Sequence, residues 1–328
     1  MPVPRRLLLA ATLAAPSAPL AARPGHAQAV WPDRPVRVVV PFPAGSTPDL
    51  AARAVAAHLQ AALGQPFVPD NRAGAGGNIG TDAIAKATDG HVIGVSINAP
   101  LTTAPFLYPT LPFDPERDLA PISLLVRAAQ LLVVHPAVPA TDLAGFIAHA
   151  RANPGALAYG SVGAGSGSHL AMADLMARTG TEMVHVPYRG FPDATLDLVA
   201  GRIQAMFVVA AGILPQLRAG TVRGLAATAE RRIAQAPEVP TLAEGGIAGA
   251  ASYAWVGLVA PAATPPERIA RLAAETRRGL AEHETRQRLE AAGFEVVGST
   301  PEQFAAYMAA ERTRWGGLIR RLGIRAEG

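Results

Sequence analysis

"VVVPFPAGSTPDLAARAVAAHLQAALG", Val38 to Gly64, passes from an apolar run across two prolines and a Gly-Ser-Thr loop into a helical pattern. Uninterrupted β-branched residues at its start read as a buried strand, and Pro41 and Pro43 end that strand. Beyond them Thr47 stands where a helix cap is expected and Pro48 suits the first helical position. Leu50, Val55, Leu59 and Leu63 share an apolar face, and Gly64 closes the helix. Strand, small-residue loop and helix in this order form the repeating unit of an α/β fold. Backbone N–H groups at such a helix mouth lack partners and sit at the positive end of the peptide dipoles, so the loop is suited to an anion.

The same alternation continues to about Val95, through "PFVPD", a helix over 79–87 and the strand "HVIGVSI". It predicts parallel strands joined by crossover helices. A second block begins at "AAQLLVVHP" (128–136), continues through a helix over 142–152, and repeats the opening arrangement. The strand "ALAYGS" leads into the loop "GSVGAGSGSH" and a helix over 168–179. After "HVPY" follow a helix over 193–200 and the strands "IQAMFVV" and "VRGLAAT". The tail holds the strands "AWVGLVAP" and "FEVVGS" and two helices, each announced by a threonine before proline with Glu or Gln three residues on, at Thr264 and Thr300. With too little strand for a third domain, the tail is expected to pack on the first block. The domains are then an export signal over 1–29, a discontinuous lobe 1 over 30–128 and 233–328, and lobe 2 over 129–232. Ligands of open α/β sheets sit beyond the carboxyl ends of the strands, so two such lobes make a clamp.

Composition removes several alternatives. The 328 residues, half hydrophobic, suffice for two domains. The first 29 place Arg5 and Arg6 before an apolar run and end in Ala27-Gln28-Ala29, an export signal cleaved after Ala29; both the general and the twin-arginine routes fit the arginine pair. Cleavage removes Arg5, Arg6 and Arg23 and no acid, leaving 26 basic against 25 acidic residues, a charge of +1 that gives no reason to expect nucleic acid. No later run reaches the ~20 apolar residues of a membrane helix. The absence of cysteine excludes disulfides and thiolate sites. Lys86 is the only lysine and follows no phosphate-loop glycines.

Four loops after predicted strands, 41–49, 70–80, 96–100 and 159–169, are rich in Gly, Ser, Thr or Asn. The glycines at 160, 163, 165 and 167 do not make a dinucleotide fingerprint. No Gly-x-Ser-x-Gly elbow occurs, although Ser166, His169 and His185 can approach one another and keep a Ser/His hydrolase as an alternative. No metal spacing and no cofactor motif is found. Asp49 is favoured by the helix dipole whether it orients the loop or meets a ligand's ammonium or hydroxyl group, and both roles stay open. Arg72 and Arg189 are further candidates to meet a carboxylate.

The segments "PVRVVVPFPAGSTPDLAAR", "DNRAGAGGNIGTDAIAKATDG", "YGSVGAGSGSHLA", "HVPYRGFPDATLDLVAGRIQAMF" and "PEVPTLAE" together resemble the Bug-type substrate-binding proteins of tripartite tricarboxylate transporters. The resemblance runs through nearly all of the chain beyond the signal. It implies an α/β, two-lobed periplasmic binding protein of the type II, Venus-flytrap class: a monomer, not an enzyme, that binds a small organic carboxylate and serves a membrane permease. A sensor kinase in place of the permease is the alternative partner. By position it implies ligand contacts from Phe42, Ala44, Gly45, Ser46, Thr47, Asp49, Ala75, Gly76 and Asn98 in lobe 1, and from Ser161, Gly163, Gly165, Ser166 and His169 in lobe 2. Ala44, Ser46 and Ala73 depart from the commoner Pro, Gly and Pro of those proteins, and His91 from tyrosine.

Overall fold

The strand read from Val38 is β1 (Val36–Val40), and the helix after it is α1 (Thr47–Leu63). There follow β2 (Phe67–Asn71), α2 (Asn78–Ala85), β3 (Val92–Ile97), α3 (Ala104–Leu107) and the long β4 (Leu119–Val134). The second block contains α4 (Leu143–Ala152), β5 (Ala158–Ser161), α5 (Gly167–Thr179), β6 (Val184–Pro187), α6 (Phe191–Val199), β7 (Ala205–Val209), α7 (Leu214–Arg218) and β8 (Arg223–Ala227). The tail contributes β9 (Tyr253–Pro261), α8 (Pro266–Ala281), α9 (His283–Ala291), β10 (Glu295–Val296) and α10 (Pro301–Leu322). This computed structural model describes Met1 and residues 31–326, so the export signal expected at 1–29 lies, apart from Met1, outside the described residues.

The strands order as β2-β1-β3-β9-β4-β7-β5-β6, with β10 and β8 each pairing β4. β1 lies parallel between β2 and β3, and β5 lies parallel between β6 and β7. The parallel strands expected up to Val95 are found in β1, β2 and β3, whereas β4, β8, β9 and β10, beyond that stretch, make antiparallel pairs. The reason is the path of the chain. β4 carries it from the first strand group into the second, residues 228–252 bring it back, and β9 then enters between β3 and β4 running against both. β4 begins nine residues before the predicted strand at 128. Pro121 and Arg127 disguise that start, and register shifts at Pro121/Ser123 and Leu124/Val126 accommodate it.

The tail packs on the first strand group. α8 lies on α1 and β4, α10 lies on β4, and Trp255 and Phe304 are buried with Val39, Leu124 and Val259. A smaller apolar cluster joins α10 (Trp315, Leu318, Ile319) to Leu107 of α3 and Leu170 of α5, tying the first group to the second.

Two helix starts differ from the sequence reading. Ser46, not Thr47, is the residue before α1, and no side chain caps it. Leu50 is exposed, because the buried stripe of α1 runs through Ala51, Val55 and Leu59. At Thr264 no cap bond forms, since the Pro265-Pro266 pair starts α8 one residue too late for it, whereas Thr300 makes the full reciprocal box with Gln303. The helix α9 is absent from the sequence reading; only Thr285 and Leu289 of it are buried, too little for an apolar period to show. The strand expected over "FEVVGS" shrinks to Glu295–Val296, because Gly298 turns the chain at φ 61°.

Candidate functional site

The loop that follows β1 is held from below by Asp49. Its Oδ2 accepts from the Gly45 N–H at 2.9 Å and from Arg53 Nε at 2.8 Å, and its Oδ1 accepts from Asn71 Nδ2 at 3.0 Å. Asn71 Nδ2 also donates to the Phe42 carbonyl at 2.9 Å, fixing the loop at a second point. Burial raises the Asp49 pKa, but the bonds from Arg53, Gly45 and Asn71 outweigh it and hold the carboxyl below its ordinary range. Both oxygens are therefore engaged within the chain, and Asp49 orients the loop. Around it Ala44 and Gly45 are exposed, and Thr47 is half-buried. Ser46 carries a buried Oγ with no hydrogen-bond partner among the described residues.

The second loop, 74–77, keeps four consecutive residues at positive φ: Gly74 at 140°, Ala75 at 46°, Gly76 at 63° and Gly77 at 99°. Ala75 is the only non-glycine residue in that region among the described residues, and such strain costs of order 1 kcal/mol. Gly77 N–H bonds the Gly74 carbonyl, while the Ala75 and Gly76 N–H groups make no bond within the described chain. Asn98 closes β3; it is buried, and its Nδ2 reaches the Gly165 carbonyl at 3.4 Å while Thr103 Oγ1 donates to the same carbonyl at 3.0 Å.

The opposing loop, 160–169, rests on a different support. His169 stacks on His185 with centroids 4.1 Å apart, and His185 stacks in turn on Tyr159 at 5.0 Å. His169 Nδ1 accepts from the Gly165 N–H at 3.0 Å, and Ser161 Oγ accepts from the Gly163 N–H at 3.1 Å while lying 2.6 Å from His185 Nε2. Ser168 Oγ accepts from the Val162 N–H, and Ser166 caps α5 by accepting from the His169 N–H. Burial, and the charge of His185, press the His169 pKa down to about 3; burial takes His185 down to about 4. Both rings are neutral at pH 7. The Ala164, Gly167 and Ser168 N–H groups are left without partners among the described residues.

These loops meet over a cleft of about 500 Å³, walled by Phe42–Pro43 and residues 73–77 on one side and by Val162–Gly163 and Tyr188–Arg189 on the other. A β-carbon built on Gly163 would stand 3.9 Å from Gly76 Cα, so the glycine loops face each other at contact distance. Among the residues implied by resemblance, Phe42, Ala75, Gly76 and Gly163 line this cleft. Asn98, Ser161, Ser166 and His169 are buried and do not line it, nor do Gly165 and residues 44–49. Arg189 is exposed, lines the cleft and has no ion-pair partner among the described residues, whereas Arg72 is bound to Asp70 at 2.8 Å. Tyr188 is a wall residue that sequence reading passed over; its hydroxyl donates to Asp197 at 2.8 Å. The signal was available, since Tyr188 follows a strand whose carboxyl end points into the cleft.

The Ser166–His169 pairing weighed for a hydrolase does not form, because Ser166 is occupied as a helix cap and His169 by a loop amide. Ser161 and His185 pair instead, but among the described residues no carboxylate bonds His185. Among the described residues no group of three His, Asp or Glu is placed to hold a metal, and no helix is long and apolar enough to cross a membrane.

Comparison with known proteins follows the same lines. Residues 51–324 match the profile of the tripartite tricarboxylate transporter family receptor. The protein BugT of Bordetella pertussis is 36% identical over 90% of this chain and 91% of its own. A protein encoded in the tcbD-tcbE intergenic region of a Pseudomonas species is 39% identical over 88% of this chain and 86% of its own. Among solved structures, a Rhodopseudomonas palustris protein with adipate superposes with a TM-score of 0.84 at 34% identity, covering 90% of this chain and 99% of that one. MatC of the same organism, with bound malate, gives 0.81 at 32% identity, covering 88% and 100%.

Proposed function

The chain belongs to the tripartite tricarboxylate transporter receptor family, the Bug proteins, and on that premise we propose that it is an extracytoplasmic receptor that closes on a small organic carboxylate and presents it to a membrane permease. The observation that carries this reading is the cleft between two opposed glycine loops, where the Ala75 and Gly76 N–H groups have no partner among the described residues and face a wall of Val162 and Gly163. Oriented amides hold a carboxylate by charge-assisted bonds and need no reorganisation to do so. Arg189 in the cleft wall adds a positive charge. The adipate and malate held by the two structural relatives are the class of ligand such a site suits.

Lobe 1 is residues 30–128 with 233–328, and lobe 2 is residues 129–232. The boundary falls inside β4, where one strand serves both groups, so closure bends the chain at β4 and at the return crossing. The segment 1–29 directs export to the periplasm and is cleaved after Ala29, and the protein acts as a monomer without enzymatic turnover. Ser161 and His185 support a loop in this reading, because no carboxylate among the described residues orients the imidazole as a base.

The test is a thermal-shift panel of mono-, di- and tricarboxylates on the protein without its signal. A true ligand at 100 times its dissociation constant adds about 2.7 kcal/mol of stability. A complete absence of shift across aliphatic and aromatic members sinks the reading. Co-purification with permease subunits of the native membrane, rather than with a sensor kinase, decides the partner.

A further inference from the structure

At the junction of the two strand groups, Gln130 of β4 is completely buried, and neither Nε2 nor Oε1 of its amide has a hydrogen-bond partner among the described residues. An unpaired buried amide costs about 1–3 kcal/mol, so its persistence calls for a use. Its main chain, by contrast, is pinned twice. The Gln130 N–H donates to Thr228 Oγ1 at 3.0 Å, the Gln130 carbonyl accepts from the Thr228 N–H at 2.8 Å, and Thr228 Oγ1 in turn donates to the Ser252 carbonyl at 2.6 Å. The two chain crossings between the strand groups are thereby stitched together, and the Gln130 side chain projects from that junction.

It projects toward the start of α5. A β-carbon built on Gly167 would stand 3.3 Å from Gln130 Nε2 and 3.8 Å from Asn98 Nδ2, so the two amides converge on the bare backbone of residue 167. The N–H groups of Gly167 and Ser168 stand at the same helix end and have no partner among the described residues. Gly163, Gly165 and Gly167 are successive steps of one loop: the first walls the cleft, the second meets Thr103, and the third meets Gln130. The inner end of the ligand loop therefore closes over Gln130.

Building on the receptor reading, we propose that Gln130, with Asn98 and the free amides at the start of α5, forms an inner subsite that selects ligands carrying a second carboxylate at their far end. Two side-chain amides and two main-chain N–H groups supply more donors than acceptors, and the helix end adds positive potential. An anionic oxygen pair satisfies this set, whereas an alkyl terminus leaves it unpaired, and unpaired polar groups are a strong basis for discrimination.

The experiment titrates the wild-type protein by calorimetry with the linear dicarboxylates from succinate to adipate and with the monocarboxylates of equal length. Gln130→Met and Gly167→Ala are titrated alongside. Wild type prefers its best dicarboxylate over the matched monocarboxylate at least tenfold. Gln130→Met, which keeps the volume and removes the amide, weakens that dicarboxylate about tenfold and changes the monocarboxylate less than threefold; Gly167→Ala does the same by crowding the Gln130 amide. Ligand-free Gln130→Met melts at or above wild type, because no hydrogen bond of the empty protein is lost. A preserved preference in Gln130→Met overturns the proposal, as does an equal loss for both ligand types or a lower ligand-free melting temperature. If wild type binds no carboxylate at all, the receptor reading falls and the subsite with it; if it binds but the variants do not discriminate, only the subsite falls.

Discussion

The loops 41–49 and 160–169 share a sequence plan, each leaving a strand through small residues and entering a helix at a serine, yet they are held by opposite chemistry. The first is tied to a buried carboxylate that gathers a loop N–H, an asparagine amide and an arginine. The second is tied to a stack of neutral imidazoles that accept from loop amides or pair with a loop serine. Both solve the same problem, which is to fix some loop amides so that others remain free for a ligand. An anion bound near the first loop works beside a negative charge already neutralised by Arg53. An anion near the second meets no formal charge in the support.

The sharpest way to break the comparison is to remove each support. Asp49→Ala strands Arg53, Asn71 and the Gly45 N–H, and is expected to lower stability by about 2–3 kcal/mol, the low end for a broken buried pair because Arg53 is half exposed. Denaturant unfolding measures it, and a loss below about 1 kcal/mol would show that the loop does not depend on Asp49. On the other side, Gly165→Ala drives a β-carbon to 2.1 Å from Leu107 Cδ1 and 2.8 Å from Thr103 Oγ1, at a φ of 72° that suits glycine. About 2 kcal/mol of cost is expected, concentrated in the closed state. Small-angle scattering with ligand should then show Gly165→Ala more open than wild type.

Acid separates the two supports. An unfolded histidine takes its proton near pH 6.5, whereas folded His185 and His169 resist until about 4 and about 3. Between those values the unfolded chain binds more protons, so the stability tied to these rings is complete above about 6.5 and falls as pH drops toward the folded values. Asp49 behaves like an ordinary paired acid. Its folded pKa lies below the unfolded one, so its contribution is present above about 3.9 and disappears as pH falls through the folded value. Replacing His169 and His185 together by Gln should flatten the slope of stability between pH 6.5 and 4, whereas Asp49→Asn should leave that slope in place. A slope unchanged by the histidine pair would contradict the account of the second loop.

The smallest effect is the most discriminating. Ser166 caps α5 through its hydroxyl, and Ser166→Ala should cost about 1 kcal/mol. Ser46 occupies the same position before α1 with a hydroxyl that has no partner among the described residues, so Ser46→Ala should change unfolding free energy by less than about 0.5 kcal/mol. Equal effects would mean that the two helix mouths are built alike.

Much of this was legible in the chain before any coordinates. Prolines 41 and 43, the Gly64 stop and the repeated strand–loop–helix plan place β1, α1, β5 and α5 and bring the right loops to one side, because these signals act within a few residues. What escaped depends on distant partners. The antiparallel entry of β9 follows from a return crossing with no local sign. Thr47 and Thr264 look like caps until the prolines beside them set where the helix starts. Asp49 is ambiguous in sequence because dipole and hydrogen bonding favour it equally. Asn71 and Arg53, which settle its role, are unremarkable residues until the fold delivers them. Gln130 reads as one polar residue in an apolar strand; only its burial and its empty amide distinguish it.

The central claim is that both loops close on one carboxylate. A crystal structure of the protein with the most stabilising carboxylate tests it directly. The account predicts the ligand within the 500 Å³ cleft, with a carboxylate accepting from N–H groups of residues 42–47 or 74–77 and its remainder touching residues 161–168. A carboxylate bound by one loop set alone, or outside the cleft, would contradict it.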